Sequence, residues 1–147
     1  MESNKLFACK AIAFGVVLGL CGCVSLSHRE RNEYAMLERN DVSLAHPIGG
    51  FEAPNSVWGA GLLNILPGLG NFYLAVGDGS DPVQGVYGVV NLLFWPISIT
   101  WGAPQAAIDA NTLNKRDMLY YYQYDKDGKK AMEDRGLKFD EEANPEG

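Results

Sequence analysis

Apolar and charged residues fall in separate blocks along this chain. Residues 11–20 (AIAFGVVLGL) carry no charge and follow Lys5 and Lys10. Residues 25–52 are polar and of mixed charge, with sparse apolar positions at Tyr34, Leu37 and Leu44. Ser27 and Glu30 have the spacing of an N-cap and its reciprocal N3 partner, which predicts a short helix over 27–39. A loop through His46-Pro47-Ile48-Gly49-Gly50 follows, so 23–52 reads as a polar tether. Further on, Ala106, Ala107, Ala110, Leu113 and Met118 recur on one side of a helix over 104–123, with Pro104 suited to its first turn. Residues 129–135 add a last turn or two ending at Gly136, and 140–147 form an acidic tail.

The 56 residues 53–108 dominate the pattern, because they contain only two charges, Asp78 and Asp81, both in the turn Gly77-Asp78-Gly79-Ser80-Asp81-Pro82. The arms on either side, 53–77 and 82–108, are each long enough to cross a bilayer if wholly helical. Pro67, Pro96 and Pro104 interrupt them, since proline removes a backbone donor and clashes with the preceding turn. The remaining pieces have the lengths of core, re-entrant or interfacial helices. Nine of the 17 glycines fall between Gly59 and Gly102, and Ser98, Gly102, Ala106 and Ala110 form a stripe of small residues at four-residue spacing. Such a stripe lets another backbone approach closely, in a membrane or in a soluble helix pair. Trp58, Tyr73, Tyr87, Trp95 and Trp101 suit a membrane interface and a core equally. The expected fold is mainly α: a small glycine- and proline-interrupted helical hairpin over 53–108, then a longer C-terminal helix in a charged segment, 109–147.

The basic start, apolar run and small residues of 1–22 have the layout of a signal peptide. The end of that run, Leu20-Cys21-Gly22-Cys23, resembles the lipobox of bacterial lipoproteins. The resemblance implies cleavage between Gly22 and Cys23, a diacylglycerol on the Cys23 thiol and acylation of the new amino group. Two or three acyl chains hold a protein on a membrane where one is marginal. Val24, a residue other than Asp after the cysteine, implies sorting to the periplasmic face of the outer membrane. Cys9 and Cys21 would leave with the signal and Cys23 would be consumed, so the mature chain has no thiol, disulfide or cysteine metal site. The full chain carries a formal charge of -6; losing Lys5, Lys10 and Glu2 makes it -7.

The stretch Pro67-Gly68-Leu69-Gly70-Asn71-Phe72-Tyr73-Leu74-Ala75 resembles the first half of the TM2 domain, a two-helix membrane hairpin marked by a glycine pair and an aromatic-Tyr-Leu sequence. Gly85, Gly88 and the segment from Trp101 to Asp109 resemble its second half, in which a Trp leads to a membrane-edge Asp. The family departs from this chain at Asn71 and Ala75, and it carries no catalytic residues. Candidate packing residues of the hairpin are Gly68, Gly70, Phe72, Tyr73, Ser98, Gly102, Ala106 and Ala110. A two-span hairpin in the inner membrane would put the acidic turn in the cytoplasm and Lys115 and Arg116 outside, against the bias of basic residues toward the cytoplasm. A compact hairpin in or on the periplasmic face avoids that conflict.

Composition narrows function further. A sequence pI near 4.8 argues against nucleic-acid binding, which needs clustered Lys and Arg. No nucleophile elbow, zinc-protease helix, phosphate loop or complete dinucleotide fingerprint occurs, so no catalytic residue and no cofactor is expected. His28 and His46 are 18 residues apart and read as solvated side chains, so no metal site is expected. Asp125-Lys126-Asp127-Gly128 imitates a calcium loop, but its glycine is misplaced and Lys129 stands where an oxygen ligand belongs. The Tyr120-Tyr121-Tyr122-Gln123-Tyr124 cluster is expected to pack against the glycine-rich hairpin, the alternative being a stacking platform. These features predict a non-enzymatic envelope lipoprotein. Its partners are membrane lipid, through the acyl chains on Cys23, and a protein or second copy met through the hairpin. The alternative is a small accessory subunit of a transport or secretion complex with the hairpin in the inner membrane.

Overall fold

A computed structural model describes residues 24–66, 68–76 and 80–139. The signal segment 1–22, the lipidation candidate Cys23, Pro67, the 77–79 part of the acidic turn and the tail 140–147 lie outside the described residues. The fold is mainly α, with six helices among the described residues: α1 (His28–Arg39), α2 (Val57–Leu63), α3 (Leu69–Val76), α4 (Val83–Leu93), α5 (Ile99–Tyr124) and α6 (Lys126–Asp134). An isolated bridge between Ser43 and His46 is the sole β pairing among the described residues.

The 26-residue α5 is the spine, about 39 Å long at 1.5 Å per residue. Its first part packs with α2, α3 and α4, and its second part packs with α1, α6 and the segment 40–52. The central block is therefore four successive legs, in which α3 packs between α2 and α4 and α2 packs on α5, not the single hairpin expected. Successive legs are antiparallel. Gly68 abuts Gly88 and Gly85 faces Ala75 across α3 and α4, while Gly61 faces Ala103 and Ala107 across α2 and α5. The helices break where proline or glycine forbids continuation: Gly68 adopts φ +77°, open to glycine at little cost. No helix among the described residues is long and apolar enough to cross a membrane.

Glycine sets how closely these legs approach. A Cβ on Gly70 would run into the backbone carbonyl oxygen of Ala60, and one on Gly88 would stand 2.9 Å from the Phe72 ring. Ser98, Gly102, Ala106 and Ala110 are all buried along one side of α5. Pro104, expected to open that helix, instead lies inside it. It is exposed and removes one donor, while the helix has already begun with Gly102 N–H on the Ser98 carbonyl at 2.7 Å.

The segment 24–52 is no tether. Ser27 and Glu30 form the capping box, with Glu30 N–H on Ser27 Oγ at 3.2 Å and Ser27 N–H on Glu30 Oε2 at 2.6 Å. Tyr34, Leu37, Val42 and Phe51 join Met118, Leu119, Tyr122 and Met132 in a buried apolar core. The Tyr122 hydroxyl accepts from Ile48 N–H at 2.9 Å and donates to the Ile48 carbonyl at 3.1 Å. Tyr121 donates to the Gly49 carbonyl. The tyrosine cluster thus packs against 40–52 and not against the glycine-rich legs, because the buried stripe of α5 turns toward α1 and α6 at that level. Tyr120 and Tyr124 are exposed and face each other at 4.6 Å. Asp125 caps α6 by accepting from Asp127 N–H at 2.8 Å, so α6 begins three residues before the turn expected at 129. Gly136, at φ +68°, follows its end.

Gly70→Ala is expected to lower stability by about 1 to 3 kcal/mol, because a backbone oxygen cannot yield to the added methyl. Gly85→Ala, whose Cβ would stand an ordinary 3.7 Å from Ala75 Cβ, should be neutral or stabilising by up to about 1 kcal/mol. Thermal unfolding followed by circular dichroism in mild detergent separates the two.

Candidate functional site

Polarity is inverted in the four-legged bundle. Of the 18 large hydrophobic side chains exposed among the described residues, 16 lie between Trp58 and Ile108. Trp58 is 83% exposed, Val76 85% and Leu93 75%. All nine buried polar residues in the described structure lie between Asn55 and Asn114. A water-facing protein ordinarily keeps Lys, Glu and Asp outside and Leu, Val and Ile within. On α4 the buried positions are Gln84, Gly88 and Asn91, while Val83, Val86, Val89, Leu92 and Leu93 face outward.

The buried amides form a chain with one direction. Trp101 Nε1 donates to Asn91 Oδ1 at 3.0 Å, and Asn91 Nδ2 donates to Asn71 Oδ1 at 2.8 Å. Asn71 Nδ2 donates to Gln84 Oε1 at 2.7 Å, and Gln84 Nε2 donates to Asp109 Oδ2 at 2.9 Å. An indole can only donate and an ionised carboxylate can only accept, so the two ends dictate how every amide between them is turned. The other carboxylate oxygen, Asp109 Oδ1, accepts Val24 N–H at 2.8 Å. Ser98 Oγ closes the Asn91 carbonyl at 2.6 Å. The chain links α3, α4 and α5 and ties residue 24 to them.

Burial raises the Asp109 carboxyl above the ordinary Asp value, opposed by the hydrogen bonds from Gln84 and Val24. The Asp expected at a membrane edge is therefore wholly buried. A second latch sits beside it. Asn114 Oδ1 accepts Asn55 N–H at 2.9 Å and Asn114 Nδ2 donates to the Asn55 carbonyl at 2.7 Å, fixing the entry to α2 against α5.

The candidate packing residues are distributed around this chain. Gly68, Gly70 and Phe72 bring α3 against α4 and α2, and Gly102 lies where a Cβ would be 2.7 Å from Asn64 Nδ2 and 3.0 Å from Asn91 Nδ2. The Tyr73 hydroxyl accepts from Ser56 N–H at 3.1 Å. Ala106 and Ala110 join Ala60, Leu74 and Leu113 in the bundle's small apolar core. Sequence reasoning noted Asn71 only as a departure from a family pattern and passed over Gln84 and Asn91. The available signal was their seven-residue spacing, two turns of one helix, within an otherwise apolar segment.

Away from the bundle, Arg116 Nε meets Glu30 Oε1 at 3.1 Å and Gln123 Nε2 donates to Glu33 Oε2 at 2.8 Å, holding α1 to α5. A cleft of about 750 Å³ at this end is lined in part by Arg29, Tyr122, Lys129 and Glu133, and Arg29 pairs with Glu33 at 2.7 Å. His28 and His46 are exposed, and no group of three metal-ligating residues occurs among the described residues. No protein family, curated protein or solved structure matches the chain.

Trp101→Phe removes the donor that starts the amide chain and leaves Asn91 Oδ1 buried without a partner. The expected loss is about 1 to 3 kcal/mol, read by thermal or denaturant unfolding in detergent. Asp109 adds a pH dependence. Because its folded pKa is raised, the folded state binds more protons across the window between the ordinary Asp value and the folded one, so stability falls as pH rises through that window. Asp109→Asn should abolish this component, and the stability of wild type relative to the variant should decline as pH rises from acid.

Proposed function

We propose that the chain is an envelope lipoprotein with a non-enzymatic structural or interaction role, held to the membrane by acyl chains on Cys23 and by its apolar-surfaced bundle. The observation that carries this reading is the inversion of polarity across α2, α3, α4 and the start of α5. Exposed leucine, valine and tryptophan over a whole bundle form a contiguous patch of the kind that marks a membrane or partner surface. The chain from Trp101 to Asp109 pairs its buried amides within the protein, as a hydrocarbon environment demands, since lipid offers no replacement partners. Asn64 Nδ2 and Oδ1, Asn55 Nδ2 and Gln105 Nε2 are buried beside it without a partner. The Leu20-Cys21-Gly22-Cys23 sequence supports a lipid anchor one residue before Val24. The outer membrane's periplasmic face is the favoured location, on the residue that follows the cysteine.

Labelled palmitate should mark the wild-type protein and not Cys23→Ser; equal labelling of both contradicts the lipid anchor. A form secreted behind an ordinary cleavable signal, with Ser in place of Cys23 at its start, isolates the second contact. It should stay with the membrane pellet in alkaline carbonate and leave only in detergent. Release by carbonate contradicts membrane contact by the bundle.

A further inference from the structure

We infer that the bundle is a wedge that enters a single leaflet of the bilayer, with its two turns deepest and Asp109 at the level of the headgroups. This rests on the membrane-bound reading above and adds depth, direction and topology to it. The direction follows from where the legs converge. Asn64 at the end of α2 and Asn91 near the end of α4 both meet Gly102 near the start of α5. The α2–α3 and α4–α5 turns are therefore at the same end. That tip exposes Leu62, Ile65 and Leu66 from one turn and Leu93, Trp95 and Ile97 from the other.

Most backbone N–H groups of the tip turns are paired within the protein, those of Gly68 and Ile97 excepted. Ile65, Leu66 and Leu69 donate their N–H groups to the carbonyls of Leu62, Leu63 and Leu66. In the second turn Phe94, Trp95, Ser98, Ile99 and Thr100 all donate to backbone carbonyls, and Thr100 Oγ1 donates to the Ile97 carbonyl at 2.9 Å. Pro96 brings no N–H at all. Such pairing is common in turns, and it suits these to hydrocarbon, where an unpaired donor costs several kcal/mol. The same surface carries no charged side chain from Val57 to Val76 or from Val83 to Ile108.

The depth follows from helix geometry. From Asp109 to Ile99 α5 rises through ten residues, about 15 Å at 1.5 Å per residue. Half the hydrocarbon core of a bilayer is also about 15 Å. At the opposite end from the tip lie Asp81, Asp109 and the Asn55–Asn114 latch, and beyond them every charged helix of the fold. Val24 is pinned there by its hydrogen bond to Asp109. Cys23 directly precedes Val24 in the sequence. Acyl chains on Cys23 would enter the bilayer at the level from which the wedge descends, and the two contacts share one membrane plane.

The test uses the processed, lipidated protein, added from mild detergent to preformed vesicles of phosphatidylethanolamine and phosphatidylglycerol so that its charged end is outside. Once Cys23 is modified the chain has no other thiol, so single cysteines report position. Leu66→Cys and Leu93→Cys mark the tip, and Lys126→Cys marks the charged end. A membrane-impermeant maleimide, supplied outside or trapped inside, should label Lys126→Cys from outside and label neither tip position from either face until detergent is added. Labelling of a tip position by trapped reagent means that the bundle spans both leaflets and overturns the single-leaflet topology, while leaving the membrane-bound lipoprotein reading intact. Labelling of the tip from outside means that it faces water and overturns insertion altogether, and palmitate incorporation then decides separately whether the lipid anchor survives.

Discussion

Everything in the bundle depends on the one-way amide chain that starts at the Trp101 indole and ends on the Asp109 carboxylate. Short helices such as α2, α3 and α4, of 7, 8 and 11 residues, have little stability of their own in water. Most of their apolar residues point outward, so the hydrocarbon they bury is confined to the small core around Ala60, Leu74, Ala106, Ala110 and Leu113. What joins α3 and α4 to α5 is a buried row of donors and acceptors matched one to one, while α2 is held by its packing on α3 and α5 and by the Asn55–Asn114 latch. Because both ends of the row have fixed polarity, reversing any one amide would set donor against donor on one side and acceptor against acceptor on the other. A row of this kind specifies one arrangement of the legs, where an apolar interior would tolerate several.

The amides can meet only because the backbones come close. Gly70 beneath the Ala60 carbonyl, Gly88 beneath the Phe72 ring and Gly102 between Asn64 and Asn91 remove the side chains that would hold the legs apart. The short reach of Asn then suffices to bridge from helix to helix. Past Ala110 the same helix changes its environment. Leu113 still belongs to the bundle, while Met118, Leu119 and Tyr122 face an ordinary apolar core with α1, α6 and residues 40–52 around them. α5 thus carries one rule of burial at its start and the opposite rule at its end. The change falls at Asp109 to Asn114, where Val24 and Asn55 are tied down.

Much of this was legible in the chain. The capping box at Ser27 and Glu30 announced α1, the near absence of charge from 53 to 108 announced the bundle, and the small residues Gly102, Ala106 and Ala110 announced a buried side of α5. Pro104 has the sequence character of a helix opener, yet an exposed proline removes only one bond from a helix already held by packing, and α5 starts five residues earlier at Ile99. Residues 24–52 passed for a tether because their apolar positions are few. Tyr34, Leu37, Val42 and Phe51 nonetheless find partners more than 60 residues away on α5, and no local pattern displays that. The amide chain is not legible in the sequence, because isolated Asn and Gln in an apolar stretch read as interruptions. Their meaning lies in register across three helices, which only the assembled fold brings out.

A buried amide chain paired within the protein and an apolar exterior are the two observations behind the proposed insertion of the tip among acyl chains. Trp95, in the α4–α5 turn and 57% exposed, reports directly on that placement. The decisive measurement is quenching of its emission, taken as the part lost in Trp95→Phe, in vesicles whose lipids carry bromine at shallow or deep positions along the chain. Strongest quenching by the deep bromines, with no quenching by iodide in the water, is the predicted result. Quenching by iodide with no response to brominated lipid would contradict the account.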